Sequence, residues 1–110
     1  ALTGFHNRTH FEKTLQEVDV INTLRIQYER RAGDYFPSAG EFSSIWGVNM
    51  TRLKKAKPGL VVMHPGPINR GIEVSTEVAD SDQSVILEQV ANGVAIRMAV
   101  LYLTIGATAN

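Results

Sequence analysis

The sequence contains no cysteine, no excess of either charge, and no long apolar run free of charged residues. The absence of cysteine excludes disulfides, thiolate metal sites and a cysteine nucleophile. Lysine plus arginine and aspartate plus glutamate both number 11, so the charge balance does not indicate binding to nucleic acid or to an anionic membrane surface. A transmembrane helix needs roughly 18–20 apolar residues, and no charge-free stretch reaches that length. We therefore expect a soluble, cytoplasmic protein.

The chain length limits the protein to one domain. It has 110 residues, of which 44% are hydrophobic, and this is enough for a packed core. The sequence starts at Ala1 and shows no basic segment followed by an apolar one, as a signal peptide would. A start without methionine indicates a processed, tagged or truncated product.

The order of predicted elements is typical of an α/β fold. Helices are predicted at residues 9–17, 49–57 and 85–105, and buried strands at residues 18–24 and 60–63. A short helix carrying Phe42, Ile45 and Trp46 is expected within the loop at residues 28–48. Alternating helices and strands favour an open, mostly parallel sheet flanked by helices. A loop this long is either a lid over a site or a plain surface excursion.

Several helix ends carry local signals. Thr9 and Glu12 fit a capping box for the first helix, and Asn49 fits an N-cap for the second. The second helix ends in basic residues that complement the helix dipole, and a solvated face explains these charges without a function. Ser81 or Asp82 could cap the last helix, which Asn92 and Gly93 would interrupt by a kink or a close helix packing. The basic residues at the end of the second predicted helix are Arg52, Lys54, Lys55 and Lys57.

The most distinctive stretch is His64-Pro65-Gly66-Pro67, directly after the second predicted strand. The prolines fix much of the backbone and have no N–H to donate, so the stretch presents carbonyl oxygens along a stiff track. Such a track suits a small ligand with N–H donors. An ordinary turn at the end of a buried strand is the alternative interpretation.

A second polar segment follows the first predicted strand. Arg25 has a guanidinium suited to bidentate binding of a carboxylate, Gln27 adds an amide, and Glu29 could orient the guanidinium. Ligands in open α/β sheets bind outside the carboxyl ends of the strands, so this segment and the proline-rich one would face one crevice. That crevice would suit a substrate that is acidic and bears N–H groups. A surface salt-bridge cluster is the alternative.

Other candidate sites are weaker. His64, at the end of a buried strand and before a proline, is more often a structural histidine than a catalytic one. His6 and His10 have no metal-ligand spacing, and the Gly66 to Gly71 spacing lacks the lysine and hydroxyl residue of a phosphate loop. We therefore predict no metal, no cofactor and no certain catalytic residue in this chain.

Three blocks of the sequence carry a resemblance to a known family. They are LRIQYER at residues 24–30, VMHPGPINRG at 62–71 and QVANGVAIRMA at 89–99. In this order they resemble the C-terminal part of the aspartate carbamoyltransferase catalytic chain, from about residue 9 to 103. The chain is then a single partial domain, the C-terminal portion of an aspartate-binding domain.

The resemblance implies carbamoyl transfer from carbamoyl phosphate to L-aspartate, giving N-carbamoyl-L-aspartate and phosphate in pyrimidine biosynthesis. It implies that Arg25 and Gln27 hold aspartate carboxylates. The roles of the other residues follow in the same way: Pro65, Gly66 and Pro67 contact the carbamoyl group and the attacking amine, with Glu29, Arg30 and His64 in support.

The sequence also departs from this family. The family's chain is much longer, and its N-terminal carbamoyl-phosphate domain, phosphate motif and catalytic histidine have no counterpart here. We expect this chain to be inactive alone, and the resemblance implies a homotrimer of complete chains. A non-catalytic assembly module is an alternative, as is ornithine carbamoyltransferase, although that family has a cysteine where this chain has Gly66.

Overall fold

The computed structural model describes residues 8–26 and 38–106. Helices and strands alternate around a parallel strand pair, which confirms the predicted α/β class. The elements are α1 (Arg8–Glu17), β1 (Val20–Asn22), α2 (Ala39–Trp46), α3 (Met50–Lys55), β2 (Val61–Met63), α4 (Thr76–Ala79) and α5 (Ile86–Gly106).

The two strands are parallel and in direct register. Val20 lies opposite Val61, and Asn22 opposite Met63. Both strands are shorter than the predicted 18–24 and 60–63. The prediction that the first strand is buried was wrong, because Val20 is 49% exposed. Within the described residues β1 pairs only with β2 and so forms an edge, whereas Val62 of β2 is fully buried.

The core lies between the β2 region and helices α1, α3 and α4. Leu15 is buried and Phe11 packs against the same cluster, which confirms that they share a face of α1. The capping-box prediction was wrong, because α1 begins at Arg8 and therefore includes Thr9. Seven buried residues form the main cluster: Leu15, Val48, Leu53, Leu60, Val62, Val74 and Val78.

Helix α3 begins as predicted but carries a buried arginine. The Asn49 side chain accepts a hydrogen bond from the Arg52 N–H at 3.0 Å, which confirms the N-cap. The prediction that Arg52 is solvated was wrong, because it is 4% exposed. Its guanidinium donates to the carbonyl oxygens of Ser44, Ile45 and Gly47 at 2.6–2.9 Å. It therefore caps the C-terminal end of α2.

Helix α2 confirms the short helix predicted inside the long loop. Ser38 caps its N-terminus, and Trp46 packs edge-on against Phe11 with the ring centroids 5.7 Å apart. The rest of the loop, residues 28–37, lies outside the described residues. Its assignment as a lid therefore stays a prediction.

The structure contains a helix that the sequence pattern did not predict. The predicted loop at residues 75–84 contains α4, which Ser75 caps. The predicted cap of the last helix was wrong, because α5 begins at Ile86 and the Ser81 hydroxyl instead donates to the carbonyl oxygen of Val78.

Helix α5 runs without interruption through Asn92 and Gly93. The predicted close helix packing is not found among the described residues, since a Cβ at Gly93 would meet no atom within 4 Å, and the predicted kink stays a prediction. Most of its apolar side chains are exposed, with Leu101 at 51% and Leu87 at 86%. By length and composition alone α5 could cross a membrane, although it carries Glu88 and Arg97.

Candidate functional site

The structure brings the two predicted segments side by side. Thr23 follows β1, and both its N–H and its hydroxyl donate to the carbonyl oxygen of Met63, at 3.0 and 3.2 Å. Further along, the Asn69 side-chain amide donates to the carbonyl oxygen of Ile26 at 3.1 Å. Arg25, which is half-buried, lies between these two attachments. The segment after β1 is therefore held along the segment after β2.

The proline-rich stretch has a well-defined backbone. Gly66 has a φ of +68°, which favours glycine, and the Gly66–Pro67 peptide bond is cis. The His64 N–H donates to Gln89 Oε1 at 2.9 Å, and the Gly66 N–H donates to His64 Nδ1 at 2.8 Å. Since prolines have no N–H, the backbone from 64 to 67 has every donor engaged within the protein. To a ligand, this backbone offers its carbonyl oxygens as hydrogen-bond acceptors.

His64 is fully buried and forms part of the support of this stretch. Its Nε2 lies 3.2 Å from Oε1 of Glu73, a residue that is 3% exposed. The same carboxylate oxygen accepts the N–H of Asn69 at 2.7 Å. This geometry favours the structural interpretation of His64.

Glu73 was not predicted from the sequence. It lies nine positions after His64 in a segment with no helical or strand periodicity. The only local signal is Gly71, whose φ of +82° marks the turn that brings Glu73 back towards His64.

A cleft of about 560 Å³ opens between the end of β2 and α5. Met63 and Pro65 line one wall, and Gln89, Val90, Gly93 and Arg97 line the other. Arg97 therefore lines the same cleft as Pro65 of the proline-rich stretch. Within residues 8–26 and 38–106, no group of three acidic, histidine or cysteine side chains could hold a metal ion.

An exposed ion pair lies next to this region. The Arg70 guanidinium donates to both carboxylate oxygens of Asp80 at 2.9 Å. These hydrogen bonds hold the pKa of Asp80 below its ordinary value and raise the pKa of Arg70. Asp80 follows α4, so the pair links the turn after the proline-rich stretch to that helix.

The predicted site residues divide into two groups. Arg25, His64, Pro65, Gly66 and Pro67 lie in the two adjoining segments described above. Gln27, Glu29 and Arg30 lie outside the described residues.

Residues 4–104 match the family model for the aspartate/ornithine carbamoyltransferase Asp/Orn binding domain. The chain belongs to the carbamoyltransferase family. Its relatives include the aspartate carbamoyltransferase catalytic subunits of Heliobacterium modesticaldum, 46% identical over 110 residues, and Pelotomaculum thermopropionicum, 57% identical over 95 residues. These alignments cover 100% and 86% of this chain but 35% and 31% of the relatives. This carbamoyltransferase chain thus spans about a third of their length.

Solved carbamoyltransferases have the same fold. Aspartate transcarbamoylase from Trypanosoma cruzi, in complex with carbamoyl aspartate and phosphate, superposes with a TM-score of 0.68 at 31% identity. Ornithine carbamoyltransferase from Pyrococcus furiosus gives 0.67 at 33%. The two comparisons cover 83% and 84% of this chain, and 27% and 29% of the solved chains.

Proposed function

We propose that this chain is the aspartate-binding part of an aspartate carbamoyltransferase catalytic chain. The reaction transfers the carbamoyl group of carbamoyl phosphate to the amine of L-aspartate and releases phosphate, a step of pyrimidine biosynthesis. The observation that supports this most is the attachment of the Arg25 segment along residues 63–69, through the hydrogen bonds of Thr23 to Met63 and of Asn69 to Ile26. A cation and a row of carbonyl acceptors then face one acidic, amine-bearing substrate.

The proposed roles follow from the chemistry of each group. Arg25 and Gln27 bind the carboxylates of aspartate, since a guanidinium forms paired, charge-assisted hydrogen bonds with a carboxylate. The carbonyl oxygen of Pro65, with Gly66 and Pro67, accepts hydrogen bonds from the carbamoyl N–H groups and from the attacking amine. These acceptors hold the amine with its lone pair towards the carbamoyl carbon. Proximity of this kind lowers the barrier to formation of the C–N bond as the C–O bond to phosphate breaks. The departing phosphate takes up the proton that the amine loses.

His64 supports the 64–67 stretch through its hydrogen bonds in the interior. Glu29 and Arg30 belong to the polar network of the long loop. No catalytic side chain and no cofactor is assigned to this chain. Binding and activation of the phosphate leaving group require residues outside it.

The complete enzyme includes a carbamoyl-phosphate domain outside these 110 residues. The exposed surface of α5 is evidence for such a partner domain, because apolar side chains between Leu87 and Ile105 are exposed along this helix. A contiguous apolar surface of this kind marks an interface. We interpret α5 as a packing element of a soluble cytoplasmic enzyme, and the chain alone as inactive. The active assembly is a homotrimer of complete chains.

Ornithine carbamoyltransferase is the second candidate, since the Pyrococcus furiosus enzyme has the same fold. The half-buried Arg25 favours aspartate, because a guanidinium attracts an acidic acceptor and repels a cationic one. A non-catalytic assembly module is the third candidate, and the exposed α5 is the feature that favours it.

Turnover by the complete enzyme distinguishes these candidates. The full-length enzyme containing this segment is assayed with carbamoyl phosphate and either L-aspartate or L-ornithine. We expect carbamoylation of aspartate only. Carbamoylation of ornithine would support the second candidate, and the absence of both activities, with intact assembly, would support the third.

A further inference from the structure

We propose that Glu73 is a positioning residue that fixes the carbonyl track of the 64–67 stretch relative to the Arg25 segment. This inference rests on the proposed function. It concerns how the two halves of the aspartate site keep their spacing.

A continuous chain of hydrogen bonds joins the two segments through the protein interior. It starts at the carbonyl oxygen of Ile26, which accepts from the Asn69 side chain at 3.1 Å. The Asn69 N–H then donates to Glu73 Oε1 at 2.7 Å, and Glu73 Oε1 lies 3.2 Å from His64 Nε2. On the far side of the ring, His64 Nδ1 accepts the Gly66 N–H at 2.8 Å. Ile26 is the residue after Arg25, so the chain ends within one residue of each half of the site.

The direction of these bonds is fixed. A backbone N–H can only donate, so the bond from Gly66 makes His64 Nδ1 an acceptor. The ring proton is then on Nε2, which donates to Glu73 Oε1. One carboxylate oxygen therefore accepts hydrogen bonds from both the Asn69 N–H and the His64 ring. It sets the tautomer and the orientation of the imidazole ring.

The other carboxylate oxygen shows that packing alone does not explain Glu73. Oε2 is buried and has no hydrogen-bond partner among the described residues. An unpaired carboxylate oxygen in the interior is costly. An apolar side chain would avoid that cost but could not accept from both Asn69 and His64. The buried acceptor at Oε1 is thus the feature that a glutamate supplies here.

Steady-state kinetics of the full-length enzyme containing this segment test the role of Glu73. Glu73→Ala removes the shared acceptor, and we expect KM for aspartate to rise at least tenfold. The Kd for carbamoyl phosphate should rise as well, by a smaller factor, because its carbamoyl group contacts the same 64–67 carbonyls. Glu73→Gln keeps an acceptor oxygen at the Oε1 position and should restore KM for aspartate to within about threefold of the unaltered enzyme.

The matched control is Val78→Ala, which removes methyl groups from a fully buried residue of α4 outside this hydrogen-bond chain. We expect Val78→Ala to lower Tm but to leave KM for aspartate unchanged. An unchanged KM in Glu73→Ala, or an equal rise in Val78→Ala, would overturn the proposal, as would a failure of Glu73→Gln to restore KM.

Amide hydrogen exchange in the same proteins separates this inference from the proposed function. Glu73→Ala should speed exchange of the Gly66 and Asn69 amides at least tenfold, and Val78→Ala should not. If the unaltered enzyme failed to use aspartate but showed this pattern, the proposed reaction would fall while the positioning role of Glu73 would stand. If the two variants exchanged alike at these amides, the positioning role would fall whatever the activity.

Discussion

Replacement of Arg52 by alanine should destabilise the fold far more than replacement of any other basic residue of α3. The Arg52 side chain donates to three backbone carbonyl oxygens at the end of α2 and to Glu12 Oε1 at 2.8 Å. Its guanidinium also lies 5.5 Å from the centroid of the Phe11 ring. A single side chain therefore joins α1, α2 and α3.

The magnitude follows from these contacts. Each carbonyl that loses a hydrogen bond costs about 1 kcal/mol. The loss of the ion pair and of the contact with the Phe11 ring together adds about 1 kcal/mol more. Because Glu12 is partly exposed, water compensates part of its loss. We expect Arg52→Ala to lower the free energy of unfolding by about 3–5 kcal/mol, mostly through the carbonyl groups left without a donor. Arg52→Lys should lose about half as much, because one ammonium group cannot reach all four acceptors.

The assay is urea denaturation of the chain followed by the fluorescence of Trp46, its one tryptophan. Trp46 ends α2 and contacts Phe11, so it reports on this region. With a typical urea dependence, the midpoint should fall by about 2 M. Lys54→Ala, an exposed change on the same helix, should cost less than about 0.5 kcal/mol. Similar midpoints for Arg52→Ala and Lys54→Ala would refute the assignment of Arg52 as a buried cap.

Two further predictions concern glycine positions and the surface ion pair. At Gly47 an added Cβ would lie 2.6 and 2.7 Å from two backbone oxygens, so Gly47→Ala should lower the free energy of unfolding by about 1–3 kcal/mol. At Gly93 an added Cβ meets no atom within 4 Å, so Gly93→Ala should raise helix stability by up to about 1 kcal/mol. Urea denaturation checks both, and equal effects would contradict the prediction. Because hydrogen bonds from Arg70 lower the pKa of Asp80, this pair stabilises the fold fully above the ordinary carboxyl pKa and loses its effect as the pH falls through the lowered value. NMR titration should show the pKa of Asp80 rising in Arg70→Gln, and an unchanged pKa would count against the pair.

The sequence predicted the features that depend on local chemistry. The cap at Asn49, the apolar face of α1 and the strand before His64 follow from residue type and spacing, and the structure confirms them. The adjacency of the Arg25 and 64–67 segments followed from a general rule, that parallel strands bring their carboxyl ends to one edge.

The features that the sequence did not predict depend on distant backbone atoms. Arg52 looks like any basic residue near a helix end, and its burial comes from carbonyl groups of another helix. Glu73 meets its partners only after the chain turns at Gly71. Helix α4 has four residues, too few to show a helical period. The β-branched residues of β1 indicate a strand, but its exposure depends on which elements cover it.

The most direct test of the proposal that Arg25 and the 64–67 stretch form one aspartate site is the binding of N-carbamoyl-L-aspartate to the full-length enzyme containing this segment, with and without Arg25→Ala. The loss of a charge-assisted pair worth about 2–3 kcal/mol should weaken this binding roughly 30- to 150-fold. Binding of carbamoyl phosphate should change less than twofold. Equal losses for both ligands, or no loss for N-carbamoyl-L-aspartate, would contradict the account.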